Sequence, residues 1–317
     1  MNIKKIGLTA LAASLVSVSA QAGEMSVNGG ASMTLKNNSG VDAGKAITMG
    51  NQLTFTGGGE LDNGLNVSLS FVLDHTDNVA SGFDSHSITV SSDALGSITV
   101  AGDGASNAQS ALDTTAAGDI WNNGFKAGAS DTGYIAMKGS DASTNSVYYT
   151  LPTLVDGLSI DASYSSGGLA VDSTTAFGAT YTGVEGLSVS YGVGENGSTV
   201  ATTSGDVTTM KASYAIGSFT AAVSNTESDK DSTGIDEEMD SWKLSYTVSD
   251  NLSISYGEET HETSGQTVDE EFDAISVSYT TGGMTLTAAN YEASGIAHAT
   301  GEAGEANRWK LAASFAF

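Results

Sequence analysis

The residues able to do covalent chemistry are few and scattered along this chain. Its four histidines, His75, His86, His261 and His298, fall at expected loops or strand ends, with no pair at metal-ligand spacing. Cysteine is absent, so no thiol nucleophile, thiolate metal site or disulfide is available. No nucleophile elbow, phosphate-binding loop or HExxH helix occurs. The inventory therefore predicts a protein that is not an enzyme and needs no cofactor. The acidic runs Asp236-Glu237-Glu238 and Asp269-Glu270-Glu271 do offer oxygen ligands of the kind Ca²⁺ takes, although such runs are more often solvated loop charge.

Charge is what the sequence has in excess. There are 37 acidic against 11 basic residues, and Arg308 is the single arginine. A chain this acidic does not hold nucleic acid by its phosphates. It does concentrate cations wherever its carboxylates line water, although acidity also serves plain solubility. The densest setting for such work is a long segment at 104–144. It carries Asp113, Asp119, Asp131 and Asp141 with Lys126 and Lys138, and adds Trp121 and Phe125. Two aromatic side chains argue for a segment that packs; a disordered polar loop is the alternative.

These residues must be positioned by the elements around them. Residues 1–22 read as a secretory leader, with Lys4 and Lys5 ahead of an apolar stretch Ile6–Val18 and an Ala20-Gln21-Ala22 cleavage site. That stretch is shorter than the ~20 residues a membrane helix needs, which disfavours an uncleaved anchor. The chain from Gly23 onward carries a formal charge of −28, against −26 for the whole, because Lys4 and Lys5 leave with the leader. It contains no long apolar run, and Pro152 is its one proline.

The remaining signal has a period of two. Leu65–Leu73, Leu187–Tyr191, Trp242–Val248 and Leu252–Tyr256 alternate apolar with small or polar residues, putting one face in an apolar medium and the other in water. Tight turns rich in Gly, Asn and Asp, such as Glu60–Gly64, Gly183–Gly186 and Ser249–Asn251, alternate with longer polar loops at 195–205, 227–236 and 294–306. Tyr149, Tyr181, Tyr214, Tyr246 and Tyr279 recur at intervals of 32, 33, 32 and 33 residues, each shortly before a tight turn. Each repeat holds two strands, one turn and one loop. The tyrosines are then expected at one height on successive descending strands, an aromatic girdle at a membrane interface. Counting in this way predicts sixteen strand cores, from 25–36 to 305–317, with 104–144 as the third loop; eighteen stays open. The fold class expected for 23–317 is all-β, a transmembrane antiparallel barrel.

The last strand supports this. Trp309, Leu311, Ala313, Phe315 and Phe317 share one parity, suited to lipid and to the girdle, while Arg308 and Lys310 share the other. Lys36, Lys211 and Lys243 also have lumen parity. The order of strands, with Asn63-Gly64-Leu65-Asn66-Val67-Ser68-Leu69-Ser70-Phe71, then Leu95–Asp103, the long loop and Asn145–Pro152, resembles the general diffusion porins of Gram-negative bacteria, most nearly the alphaproteobacterial type. The resemblance spans essentially the whole chain after the leader, on short and degenerate motifs. It implies an outer-membrane location and a homotrimer among outer-membrane lipids. It implies a terminal aromatic read by the barrel assembly machinery, and a third loop folded inward to narrow the pore. It also implies acidic loop residues, here Asp113, Asp119 and Asp131, facing basic residues on the wall. Strands two to four offer no arginine for that wall, so the transverse field of the family is expected to be weak here.

The function expected is passive diffusion of small hydrophilic solutes and ions, with cations preferred. A substrate-specific channel is the nearest alternative. A secreted acidic β-rich adhesin is more distant, because no short Gly-Asp repeat recurs.

Overall fold

Alternation of apolar and small polar residues makes each strand two-faced, and in a bilayer such strands must pair at both edges to leave no backbone group unsatisfied. Closure into a barrel is the consequence. A computed structural model describes residues 25–40, 43–74, 84–104, 106–122, 140, 145–167, 172–197, 204–231 and 236–317.

Sixteen strands follow in order: β1 (Ser26–Gly40), β2 (Gly44–Glu60), β3 (Asn66–Asp74), β4 (Ser85–Ser92), β5 (Gly96–Asp103), β6 (Ser146–Thr150), β7 (Leu158–Ser165), β8 (Thr174–Tyr181), β9 (Leu187–Asn196), β10 (Gly205–Ile216), β11 (Phe219–Lys230), β12 (Glu237–Ser249), β13 (Leu252–Thr263), β14 (Glu270–Thr281), β15 (Met284–Ser294) and β16 (Ala306–Ala316). Each pairs antiparallel with its sequence neighbours, and β16 returns to β1, so the barrel is closed with sixteen strands. No helix is long and apolar enough to cross a membrane among the described residues.

The seam is set by the chain end. Phe317 exchanges two backbone hydrogen bonds with Gly29, at 2.6 and 2.9 Å. Its ring lies so close over Gly29 that a Cβ there would sit 2.3 Å from a ring carbon. A side chain there would have to turn the Phe317 ring aside.

The register divides the aromatic residues between two rims. Tyr149, Tyr181, Tyr214, Tyr246 and Tyr279 all face outward near the turn side, joined there by Phe219, Phe315 and Phe317. Phe219 and Tyr246 touch with ring centroids 4.8 Å apart. The Tyr149 hydroxyl donates to the Leu95 carbonyl at 2.7 Å, the wet end of an otherwise apolar ring. Trp309 lies at the opposite, loop-side rim with Trp242, Tyr256 and Tyr191.

The lumen is not an empty tube. Ile120, Phe272, Ala289, Tyr291, Ala293, Ile296 and Ala306 form an apolar cluster within the barrel, with Trp121 and Ala117 against it. Both the third loop and the eighth, between β15 and β16, contribute to it, so the eighth loop is not merely an external polar segment. Phe272 and Ile120 are almost fully buried there, each a contribution of about 1.5–3 kcal/mol.

Candidate functional site

The third loop crosses the inner wall from β7 to β14; β7–β13 meet it with small or acceptor-bearing side chains and β14 with the ring of Phe272. Ser163 on β7 accepts from Ala108 N–H at 2.9 Å. On β8 and β9, Gly178 and Gly192 leave room for the loop: a Cβ at Gly178 would lie 2.5 Å from the Ala108 carbonyl oxygen. Thr209 on β10 accepts from Gln109 Nε2 at 2.8 Å. Ser224 on β11 and Ser241 on β12 accept from Ala116 and Ala117 N–H at 2.8 and 2.9 Å. Gly257 on β13 makes room for Ala117. A side chain at Gly178 would press directly on the backbone of the loop.

The strongest anchor is a carboxylate. Glu259 on β13 is 1% exposed and accepts from Ile120 N–H at 2.8 Å, from Trp121 N–H at 2.9 Å and from the Thr115 hydroxyl. It thereby caps the 3₁₀ turn Ile120–Asn122, whose leading N–H groups have no partner within the turn. Glu259 was not apparent from sequence. Its signal there, a carboxylate at lumen parity inside a strand, is one it shares with Glu237 and Glu270.

The loop's own acids follow from this docking. Asp119 adopts a left-handed backbone, φ 54°, and its carboxylate accepts from Thr115 N–H at 2.9 Å while the Thr115 hydroxyl accepts from Asp119 N–H at 2.7 Å. Asp113 is pushed up to about 6, first by burial and then by the neighbouring Asp119, with Lys211 opposing the shift. Lys211 donates to the Thr114 carbonyl at 2.6 Å, and Lys243 reaches the Ala117 carbonyl at 3.5 Å. Asp113, Asp119, Lys211 and Lys243 therefore share one wall.

A second group of cations lies at the seam. Lys36 on β1 is directly opposite Lys310 on β16, and Arg308 is opposite Asn38, whose Oδ1 accepts from Arg308 Nε at 2.5 Å. All three point inward, on strands well round the barrel from β10. The lumen thus has wall cations on β16 and β1 as well as on β10–β12, while the described residues of β2–β4 turn none inward. Lys126, Asp131 and Lys138 lie outside the described residues.

The two acidic runs are divided by strand parity. Glu237 points inward to an ion pair with Lys230 at 2.7 Å, while Glu238 points outward and accepts from Asn225 at 2.6 Å. Glu270 points inward, bound by His261 Nδ1 and Ala297 N–H, both at 2.7 Å; Glu271 points outward. Among the described residues no three His, Asp or Glu converge as metal ligands.

A sixteen-stranded barrel with an inward-docked third loop decides the comparison with known proteins. A family model described as Gram-negative porin matches residues 7–317. The chain belongs to the Gram-negative porins. This porin is therefore an outer-membrane channel through which small hydrophilic solutes diffuse passively. Its fold is similar to a refined porin structure at TM-score 0.64, with 14% identity over 93% of this chain and 100% of that one. A substituted form of the Rh. blastica porin gives TM-score 0.65 at 13% identity, covering 93% and 100% of the two chains. A loop-deleted form of OmpT, an outer membrane protein of Vibrio cholerae, gives 0.67 at 18% identity, covering 93% and 99%. No curated protein matches by sequence.

Proposed function

We propose that this porin is a general channel, without catalytic activity, that prefers cations modestly. The observation that carries the reading is the docked third loop, which presents Asp113 and Asp119 to the lumen from a fixed position on the wall. Carboxylates held there raise local cation concentration and hinder anions. The preference is modest because Lys36, Arg308 and Lys310 face the same lumen from the seam. Conduction in this reading needs no bound cofactor.

The same reading makes the protein a homotrimer, delivered to the membrane by the barrel assembly machinery acting on the terminal Phe317. Support for association comes from the outer face of β2–β6. There Phe55, Leu69, Phe71, Ile88, Val90, Ile98, Val100 and Val147 face outward, and no carboxylate shares that face in the described parts of β3, β4 and β6. Planar-bilayer reversal potentials across a salt gradient, with single-channel conductance, test the channel reading. A small potential of cation sign is expected; an anion-selective potential would sink the preference, and absence of conductance the channel itself.

A further inference from the structure

Two loops enter the barrel, and both are held on one patch of its inner wall. Glu259 and His261 on β13 are directly opposite Phe272 and Glu270 on β14, and all four side chains face inward. Each is 1% exposed. Two corners of this square hold the third loop: Glu259 accepts from Ile120 and Trp121 N–H, and Phe272 shares an apolar cluster with Ile120. The other two hold the eighth. Glu270 accepts from Ala297 N–H and from His261 Nδ1, both at 2.7 Å, and the His261 and His298 rings lie 6.4 Å apart. Phe272 belongs to both halves, since Ile296 packs in the same cluster.

The eighth loop is held there against its own backbone. Ala297 and His298 are consecutive non-glycine residues in the left-handed region, at φ 56° and 57°, a conformation that persists only where the surroundings impose it. What imposes it is the chain at 268–270. His298 Nδ1 donates to the Val268 carbonyl at 2.7 Å, and Gly295 passes so near that a Cβ there would collide with the Asp269 carbonyl oxygen. Glu270 completes the grip through Ala297 N–H. Without that acceptor the strained loop gains by leaving. Once Ile296 withdraws, Phe272 is uncovered on one side and water reaches the Glu259 bonds. Packing and hydrogen bonds on one buried patch are then lost together, which is how neighbouring contacts come to be coupled.

We propose that this square couples the two loops: Glu270, by latching the eighth loop, positions the third and so keeps the constriction narrow. Glu270 is a positioning residue that acts through the loops and not on the solute. The proposal rests on the reading of the third loop as the segment that narrows the pore.

The chain contains no cysteine, so introduced thiols report on each loop separately. Ala116→Cys lies in the third loop and Ala306→Cys in the cluster that the eighth loop closes; the alanines they replace are 8% and 9% exposed. Ala297→Pro removes the N–H that Glu270 accepts and cannot hold φ 56°, whereas Ala297→Gly keeps the N–H and adopts that φ freely. Glu270→Ala removes the same latch from the wall side. Modification by a small water-soluble methanethiosulfonate is timed on barrels whose folding is verified by heat-modifiable electrophoresis. Ala297→Pro and Glu270→Ala should expose the Ala306→Cys thiol and speed modification of Ala116→Cys about tenfold, a coupling of about 1.4 kcal/mol. Ala297→Gly should leave both thiols protected. Folded barrels in which the Ala306→Cys thiol opens while Ala116→Cys keeps its rate would overturn the proposal, and so would an Ala306→Cys thiol that stays protected in both release variants. The thiol rates decide this independently of conduction, so a chain that conducts nothing would count against the channel reading alone.

Discussion

The third loop is held at its tip by one carboxylate, which makes Glu259→Ala the sharpest probe of how the pore is narrowed. The substitution removes the acceptor for Ile120 N–H, Trp121 N–H and the Thr115 hydroxyl together. Each buried donor left without a partner costs about 1–3 kcal/mol. Ile120 is only 2% exposed, so its N–H cannot be satisfied by water until the loop moves. Three such donors bring the cost to about 3 kcal/mol even at the low end of that range. The loop's backbone donors Ala108, Ala116 and Ala117 make neutral hydrogen bonds worth about 1 kcal/mol each, beside the Gln109–Thr209 bond, the Lys211 contact to the Thr114 carbonyl and the packing of Ile120. Loss of about 3 kcal/mol raises the undocked population roughly a hundredfold. The expected result is a larger and noisier single-channel conductance, with bigger sugars admitted in a liposome-swelling series. Glu259→Gln keeps one carbonyl acceptor and should fall between. A folded Glu259→Ala barrel with unchanged conductance and unchanged size cut-off would refute the anchoring role.

Two further outcomes are expected. Asp113, raised to about 6 from 3.8, is ionised above that value and neutral below it, so cation preference should fall as pH drops through about 6. In the same window the fold is relieved of a buried charge, and Asp113→Asn should flatten the pH dependence of the reversal potential. Phe317→Ala should leave refolding of the purified chain nearly intact, because the Gly29–Phe317 bonds are backbone bonds. The amount reaching the outer membrane should fall by roughly tenfold, a recognition difference of ~1.4 kcal/mol, measured by fractionation; equal losses in both assays would contradict a role in recognition.

The barrel was legible because its cause is local. A strand between lipid and water must alternate, so parity in Trp242–Val248 or Arg308–Phe317 determines which residues face the lumen, and Lys36, Lys211, Lys243, Arg308 and Lys310 all point inward. The spaced tyrosines fell on one rim for the same reason. The docking of the third loop was not legible, because it is decided by pairs far apart in the chain. Glu259 lies more than a hundred residues beyond Ile120, and Gly178 and Gly192 look like any strand glycines until Ala108 and Gln109 cross them. The trace left in the sequence is a set of unusually small lumen-parity residues on β7–β13. The eighth loop hid its packing similarly: Ile296 is a lone large apolar residue in a polar segment, and its burial is explained by the cluster it joins with Phe272 and Tyr291.

Parity also changes what the acidity means. A formal charge of −26 invites a strongly cation-selective pore. The register instead sends the acids of β9–β15 largely outward and six strand cations inward. Of the inward strand acids at the loop side, Glu237 is paired with Lys230, Glu259 is consumed by the third loop and Glu270 is bound by His261 and Ala297. Net charge therefore overstates the field an ion meets in the lumen. The selectivity that remains is set by Asp113 and Asp119 against Lys211, Lys243 and the seam cations. A handful of substitutions at those positions should move it further than a large change in overall charge made on the outer face.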